Sequence, residues 1–263
     1  MPSYGTVDHE YGLKLATTDP AEDGPVWMVN LMKYKDRAEY ADGSDGGRSG
    51  IEADNEYAPT DSLEAVGAEL VYLANVDATP LGDGVQWDRV GIVKYPTRRA
   101  FIEMQERKDF QDSHVHKEAG MERTIIVGCQ PMDVPNEQLI AESASWDDVE
   151  HPPNDDDGVL HVLHLIKWNE GGREEMTGYH DAAFEVAAAH GTRIVRWHEV
   201  EGTIVGDGRH WDQVRMNEFP SLREFMEVVN DPRRLAGQKD HREPAMADTY
   251  TLLCRPVIDT LRD

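Results

Sequence analysis

The stretch Gly82-Asp83-Gly84-Val85-Gln86-Trp87-Asp88-Arg89-Val90 returns later in the chain as Gly206-Asp207-Gly208-Arg209-His210-Trp211-Asp212-Gln213-Val214. The two copies lie 124 positions apart. A G-D-G-x-x-W-D-x-V pattern does not easily occur twice in one chain by chance, so it marks an internal repeat.

The repeat extends to both sides of this motif. Downstream, Tyr95-Pro96-Thr97 matches Phe219-Pro220-Ser221, and Cys129-Gln130-Pro131 matches Cys254-Arg255-Pro256. Upstream, Val29-Asn30-Leu31-Met32-Lys33-Tyr34 matches Leu163-His164-Leu165-Ile166-Lys167-Trp168. Each copy spans roughly 105 to 110 residues, a usual domain size. The predicted organisation is an N-terminal arm (1–25), a first repeat (26–131), a linker (132–157) and a second repeat (158–263).

Composition restricts the possible partners and the compartment. The 263 residues carry 26 Lys and Arg against 51 Asp and Glu, a net charge of −25. This excess of negative charge repels phosphate backbones and anionic lipids, so neither nucleic acid nor membrane partners are expected. No apolar run is long enough for a membrane span, and the N-terminus lacks signal-peptide features. Cys129 and Cys254 each end an apolar run, which predicts reduced thiols in a cytoplasmic protein.

Hydrophobic patterning predicts the same element order in both repeats. Pro59 is expected in the first turn of the first helix, and Gly82-Asp83-Gly84 in a hairpin turn. Ser221 and Glu224 are expected to form a capping box. The predicted strands are 26–34, 69–76, 87–95 and 124–129, then 160–168, 193–200, 211–219 and 249–254; the predicted helices are 55–66, 98–110, 177–190 and one that starts after Ser221.

Each copy therefore reads β-α-β-β-α-β, which is the ferredoxin-like order. Such a sheet carries both helices on one face, yet these strands are apolar on both faces, so a second sheet must cover the other face. The predicted fold class is α+β. It consists of two tandem ferredoxin-like repeats packed sheet to sheet as an intrachain pseudo-dimeric α/β barrel.

The repeat resembles a known family. The pattern V-N-L-x-K-Y, G-D-G-x-x-W-D-x-V, Y-P-T and H-x-E-A-G-x-x-x-T is similar to the DUF1330 group of the dimeric α/β-barrel superfamily. Members are usually single repeats that dimerise, so the resemblance implies a dimer fused into one chain. The chain would be a monomeric pseudo-dimer or a homodimer of it. The superfamily includes cofactor-free monooxygenases, polyketide cyclases, lactone isomerases and heme enzymes of the chlorite dismutase kind.

Differences between the copies indicate where chemistry could lie. His164 replaces Asn30, and a histidine facing the space between the sheets could act as general acid or base. The alternative is a buried neutral histidine with a structural hydrogen bond. Met28 and Tyr34 share the face of Asn30, as Trp168 shares that of His164. These residues are predicted to bind substrate beside His164.

The third strands differ further. The alternation of Val214 and Met216 suits the helix side, so Arg215 and Asn217 are expected to face the barrel interior, opposite the space left by Gly91. A buried arginine needs an anion or several acceptors, and a ligand carboxylate or enolate would supply one. An internal ion pair is the alternative.

No nucleotide, phosphate-loop, nucleophile-elbow or zinc-protease motif occurs in the sequence. No cofactor is therefore predicted. Metal binding by His114 and His116, and heme with an axial ligand such as His164, His190 or His241, stay open. The predicted function is a small-molecule enzyme that uses acid/base chemistry, as an isomerase, cyclase or cofactor-free monooxygenase would, in a pocket between the sheets. His164, Arg215 and Asn217 are its predicted catalytic residues. The alternatives are a non-catalytic ligand-binding protein and a heme protein.

Overall fold

A computed structural model describes residues 2–44, 47–134 and 144–262. Within these ranges nine strands form one antiparallel sheet, and eight of them close into a barrel because β7 pairs with both β5 and β8. The strands are β1 Thr6–Val7, β2 Val26–Tyr34, β3 Glu69–Leu81, β4 Arg89–Tyr95, β5 Met121–Pro131, β6 Leu160–Trp168, β7 Arg193–Gly206, β8 Gln213–Phe219 and β9 Met246–Asp259.

Helices cover the outside of this barrel. They are α1 His9–Thr17, α2 Gly50–Tyr57, α3 Thr60–Ala65, α4 Arg98–Glu106, α5 Lys108–Gly120, α6 Gly172–Ala189, α7 Leu222–Asn230, α8 Pro232–Gly237, a π-helix Gln238–Arg242 and α9 Glu243–Ala245. None of the helices described combines the length and apolarity needed to cross a membrane. The predicted α+β class is therefore confirmed, with an antiparallel barrel at its centre.

The two halves contribute four barrel strands each in the same spatial order. The first half gives β5-β2-β4-β3 and the second gives β9-β6-β8-β7. Strand β3 pairs with β9, and β5 pairs with β7, so hydrogen bonds join the halves along both edges. The halves are thus neighbours within one closed sheet.

The barrel interior is a packed core drawn from both halves. Inward side chains include Leu31 and Ile92 from the first half and Leu163, Met216 and Leu252 from the second, all at most 1% exposed. Alternate residues of the same strands point outward, under the helices. The interior is therefore filled by side chains, and ligand space must be sought on the outer face.

The Asp of the repeated motif has the same structural role in both copies. The Asp88 carboxylate accepts a hydrogen bond from the backbone N–H of Tyr34 at 2.8 Å, and the Asp212 carboxylate accepts one from Trp168 at 2.8 Å. Each Asp thus ties the turn before the third strand to the end of the first strand.

Several local predictions need correction. The N-terminal arm contains a short strand and the helix α1, which Asp8 caps. The helix predicted at 55–66 is two helices, since Pro59 disfavours helical backbone at Ala58 and interrupts the hydrogen-bond pattern. Strand β3 continues to Leu81 by pairing with β9, so Gly82 begins a wide connection instead of a tight hairpin turn.

The helix predicted at 98–110 is also two helices, α4 and α5. His114 and His116 therefore lie on α5 and not on a loop after it. In the second half, Ser221 caps α7, but the Glu224 carboxylate binds the backbone of His151 and the ring of His190, so the predicted capping box is incomplete. Residues 135–143 of the predicted linker lie outside the described residues.

Candidate functional site

A cavity of about 410 Å³ lies between the outer face of the second-half strands and the helices α6, α7 and α8. This volume is typical of small-molecule sites. Its lining is mostly apolar, and its polar side chains come from β6, β8, β9, α6, the turn between α6 and β7, and the segment after α7. The polar lining residues are His164, Tyr179, His180, Thr192, Arg215, Asn217, Arg234, Gln238, Arg242 and Thr251.

Strand alternation brings three of the predicted catalytic residues into this cavity. His164 on β6 pairs directly with Arg215 on β8, and Asn217 follows two positions later on the same face. Leu163 and Met216 point into the barrel core instead. The predicted location between the two sheets is therefore wrong: His164, Arg215 and Asn217 share a cavity, but it lies on the helix side. Both faces of these strands carry apolar residues, so hydropathy alone does not show which face points into the barrel.

His164 is a neutral imidazole that lines the cavity. Its Nδ1 lies 2.9 Å from Thr251 Oγ1, and no described residue hydrogen-bonds its Nε2. Burial lowers the pKa of His164 well below its usual range, and the nearby Arg242, Arg215 and Arg234 lower it further. The ring is surrounded by protein yet keeps part of its surface on the cavity. His164 Nε2 can therefore accept a proton or bind a metal centre.

Arg215 is a buried cation without a carboxylate partner among the described residues. Its Nε donates to Gln213 Oε1 at 2.6 Å, and its Nη1 lies 2.6 Å from His180 Nε2. Its guanidinium packs over the ring of Trp197 at 4.1 Å and that of Trp168 at 5.2 Å. Burial, aided by Arg242, lowers the pKa of Arg215 to about 9, which leaves it charged at neutral pH. His180 is neutral as well. Burial, and then the charge of Arg215, lowers the pKa of His180 to about 3.

Two further arginines line the same cavity. Arg234 donates from Nε to Tyr179 Oη at 3.2 Å and from Nη1 to the Val229 carbonyl at 3.1 Å. Arg242 on the π-helix is 5% exposed, and burial followed by Arg234 lowers its pKa. None of the described residues lining the cavity is Asp or Glu. Three cations thus face an apolar space inside a strongly acidic protein.

The predicted first-half residues do not join this site. Met28, Asn30 and Tyr34 lie under the helices of their own half, in the place that corresponds to the cavity. Asn30 Nδ2 donates to the carbonyl of Met28 at 3.0 Å, and Tyr34 Oη donates to Asp54 Oδ2 at 2.6 Å. A Cβ on Gly91 would meet Met32 Cε at 3.4 Å, so Met32 occupies the space expected there. These four residues therefore do not orient a ligand beside His164.

The sequence prediction missed the helical part of the site. Met176, His180, Ala183, Phe184 and Ala187 recur at helical spacing on α6, and all line the cavity. This spacing was a usable signal. The repeat offered a second signal, because Arg242 corresponds to Lys117 and a basic residue therefore stands at this position in both copies. The repeat offered no such signal for Arg234.

The candidate metal ligands are dispersed or engaged elsewhere. His114 and His116 bind the hydroxyls of Tyr4 and Tyr40. His161 faces the barrel interior, on the opposite face of β6 from His164, and its ring stacks on that of Tyr72. Its Nε2 lies 3.2 Å from Glu218 Oε1 and 3.8 Å from Asp259 Oδ2, which is a possible three-ligand cluster. Arg262, however, binds the other Glu218 oxygen at 2.8 Å and already balances its charge.

Comparisons with known proteins define the fold. No family model matches the chain, and no curated protein matches it. An anthrone oxidase-like protein is 13% identical over 90% of this chain and 93% of its own, with a TM-score of 0.50. A mutant chlorite dismutase from Candidatus Nitrospira defluvii, in complex with cyanide, is 14% identical over 93% of this chain and 94% of its own, with a TM-score of 0.50.

A shorter protein of unknown function from Rhodopseudomonas palustris is 25% identical over 50% of this chain and 99% of its own, with a TM-score of 0.43. The two full-length likenesses show that this chain shares its overall fold with the anthrone oxidase-like protein and the chlorite dismutase. At these identities they show the fold alone.

Proposed function

We propose that this protein is a small-molecule enzyme that performs acid/base chemistry in the helix-side cavity of its second half. The observation that carries this proposal is the neutral His164, which lines an apolar cavity beside the charged Arg215 and whose Nε2 is hydrogen-bonded by no described residue. Isomerisation, cyclisation and cofactor-free oxygenation all begin by removing a proton from an activated carbon. They share the need for a base next to a cation.

The groups around His164 suit such a proton transfer. With Nδ1–H donating to Thr251 Oγ1, Nε2 holds the lone pair that accepts the substrate proton. Arg215 would stabilise the enolate that forms. Asn217 accepts a hydrogen bond from Trp197 Nε1 at 3.1 Å, which leaves its amide N–H₂ available for the same oxygen.

A bound anionic substrate would raise the low pKa of His164. A negative charge beside the imidazole favours its protonated form and opposes the effect of the arginines. An anion bound at the arginines would therefore raise the His164 pKa toward neutrality and make the imidazole an effective base.

Proton exchange in deuterium oxide tests this function directly. The probe is an aromatic 3-keto acid, benzoylacetate, whose exchange at the carbon between the carbonyls is followed by NMR above the spontaneous rate. We expect wild type to accelerate exchange and His164→Gln to reduce the acceleration at least about 100-fold, in the range typical of a general base. His210→Gln, an exposed site outside the cavity, is the matched control.

The remaining outcomes separate the alternatives. Benzoylacetate binding without exchange would favour a non-catalytic ligand-binding protein. Exchange that survives His164→Gln would contradict the role assigned to His164.

A heme protein is the second candidate function. It is favoured by the neutral His164 imidazole, whose Nε2 is unshared, and by arginines suited to propionate groups. His190 and His241, the other proposed axial ligands, bind Glu224 and Glu175 outside the cavity. Bound heme would supply redox chemistry, and His164 would hold it. A Soret band in freshly purified protein that is lost in His164→Ala would support this candidate.

We also propose that the barrel is a fused pair of DUF1330-like, ferredoxin-like repeats with the boundaries 26–131 and 158–263. The recurring sequence motif and the identical strand order in both halves support this view. The fused chain would be a monomeric pseudo-dimer, or would pair once more as a homodimer. The cytoplasmic location stays a prediction.

A further inference from the structure

We propose that the second-half cavity binds the carboxylate of an apolar, aromatic acid between Arg215 and Arg242, where the first half holds its own carboxylate, Asp54. This inference rests on the proposed function, since it names the substrate class of the same cavity.

The two halves can be aligned at one glycine contact. Gly50 begins α2 and Gly172 begins α6. A Cβ on Gly50 would lie 2.5 Å from the Gly120 carbonyl oxygen, and a Cβ on Gly172 would lie 2.1 Å from that of Ala245. Only glycine permits this approach at the start of each helix. Four positions further along, Asp54 of the first half therefore corresponds to Met176 of the second.

Asp54 is the shared anion of the first half. It is 9% exposed, and Oδ2 accepts the Tyr34 hydroxyl at 2.6 Å. The same oxygen lies 3.6 Å from Arg89 Nη1. Its charge also favours the ammonium of buried Lys117, which the rings of Tyr4 and Tyr57 surround. One carboxylate thus lies beside half-buried Arg89 and, with Glu118, favours the charge of buried Lys117.

Met176 leaves the second half without this anion. Arg242 is the counterpart of Lys117; it is 5% exposed and lines the cavity. Its guanidinium makes no hydrogen bond or ion pair with any described residue. Arg215 likewise has no carboxylate partner among the described residues. Two unbalanced guanidiniums inside an apolar cavity are costly unless a ligand anion completes them.

The cavity walls indicate the rest of the ligand. Phe184, Trp197 and Phe225 contribute aromatic surface, and the rim residues Leu81 and Met226 are each 42% exposed. Arg234 spends two of its donors on protein groups, so the free donors belong mainly to Arg215 and Arg242. One carboxylate on a flat apolar body matches this distribution better than a multiply charged phosphate.

Calorimetric binding of 1-naphthoate, with 1-naphthalenemethanol as the uncharged probe of the same shape, tests the inference on the full chain. We expect naphthoate to bind at least about 10-fold more tightly than the alcohol, because charge-assisted hydrogen bonds to arginine add to ring burial. Arg242→Met should remove this preference. Arg223→Met, which deletes an exposed charge outside the cavity, should preserve it.

Met176→Asp supplies the decisive second variant. It places the first half's carboxylate among the arginines, so it should weaken naphthoate binding about 10-fold or more while raising the thermal midpoint of the ligand-free protein. Equal binding of acid and alcohol, no binding of either, or a naphthoate affinity unchanged by both cavity variants would overturn the inference. Naphthoate binding by His164→Gln shows that the anion site stands even where proton exchange fails.

Discussion

The two halves of the barrel use one architecture for opposite purposes. Under the first-half helices, Asp54 accepts the Tyr34 hydroxyl near buried Lys117, whose ammonium lies over the ring of Tyr4 from the N-terminal segment. Under the second-half helices the corresponding region is a cavity that holds Arg215 and Arg242. The same strand order thus carries packed side chains under the helices of one half and a cavity under the helices of the other.

This difference follows from a few exchanged side chains. Asp54 becomes Met176, Asn30 becomes His164 and Gly91 becomes Arg215 between corresponding positions. The exchanges remove an anion and add a titratable group and a cation. The comparison teaches that one half can stabilise the barrel while the other carries an electrostatically incomplete site.

The largest expected effect breaks the closed half. Asp54→Met removes the carboxylate near half-buried Arg89 and buried Lys117, and we expect unfolding free energy to fall by about 3–5 kcal/mol. Urea denaturation measures this change. Glu56→Met, an exposed position on the same helix, should change stability by less than about 0.5 kcal/mol. A loss below about 1 kcal/mol for Asp54→Met would show that the first half tolerates unbalanced cations too.

The same side chains show how far sequence could lead. The repeat predicted eight barrel strands, and strand alternation predicted that Arg215 and Asn217 share a face. Which face of the strand points outward could not be predicted, because Leu163 and His164 lie in a run that is apolar on both sides. The electrostatic influence of Asp54 on Lys117 was equally hidden, since the two residues lie 63 positions apart on helices whose docking brings them near each other.

The second prediction concerns the pH dependence of the free energy of unfolding, an effect of about 2 kcal/mol that only the second half contributes through His198. His198 occupies the barrel position that Ala74 holds in the first half; it is 1% exposed, and neither ring nitrogen has a hydrogen-bond partner in the described chain. Burial, then Arg196, lowers its pKa to about 3. The unfolded chain binds a proton near pH 6.5, so stability contributed by neutral His198 is present above that pH and is lost as pH falls toward 3.

Urea denaturation at pH 7 and pH 5 measures this loss. His198→Ala, which copies the first half, should make the difference between the two pH values about 2 kcal/mol smaller than in wild type, whatever its cost at pH 7. His210→Gln is the exposed control. An unchanged difference in His198→Ala would mean that His198 finds a hydrogen-bond partner in solution.

The smallest effect compares the matching helix caps. Thr97 Oγ1 accepts a hydrogen bond from the Ala100 N–H at 3.0 Å, and Ser221 Oγ accepts one from the Glu224 N–H at 3.1 Å. Thr97→Ala should cost about 1 kcal/mol, as loss of an N-cap usually does. Ser221→Ala should cost up to about 1 kcal/mol more, because Ser221 Oγ also donates to the His151 carbonyl at 2.7 Å. Equal losses in urea denaturation would show that the contact of Ser221 with residue 151 adds nothing, and that the two halves begin this helix with the same energy.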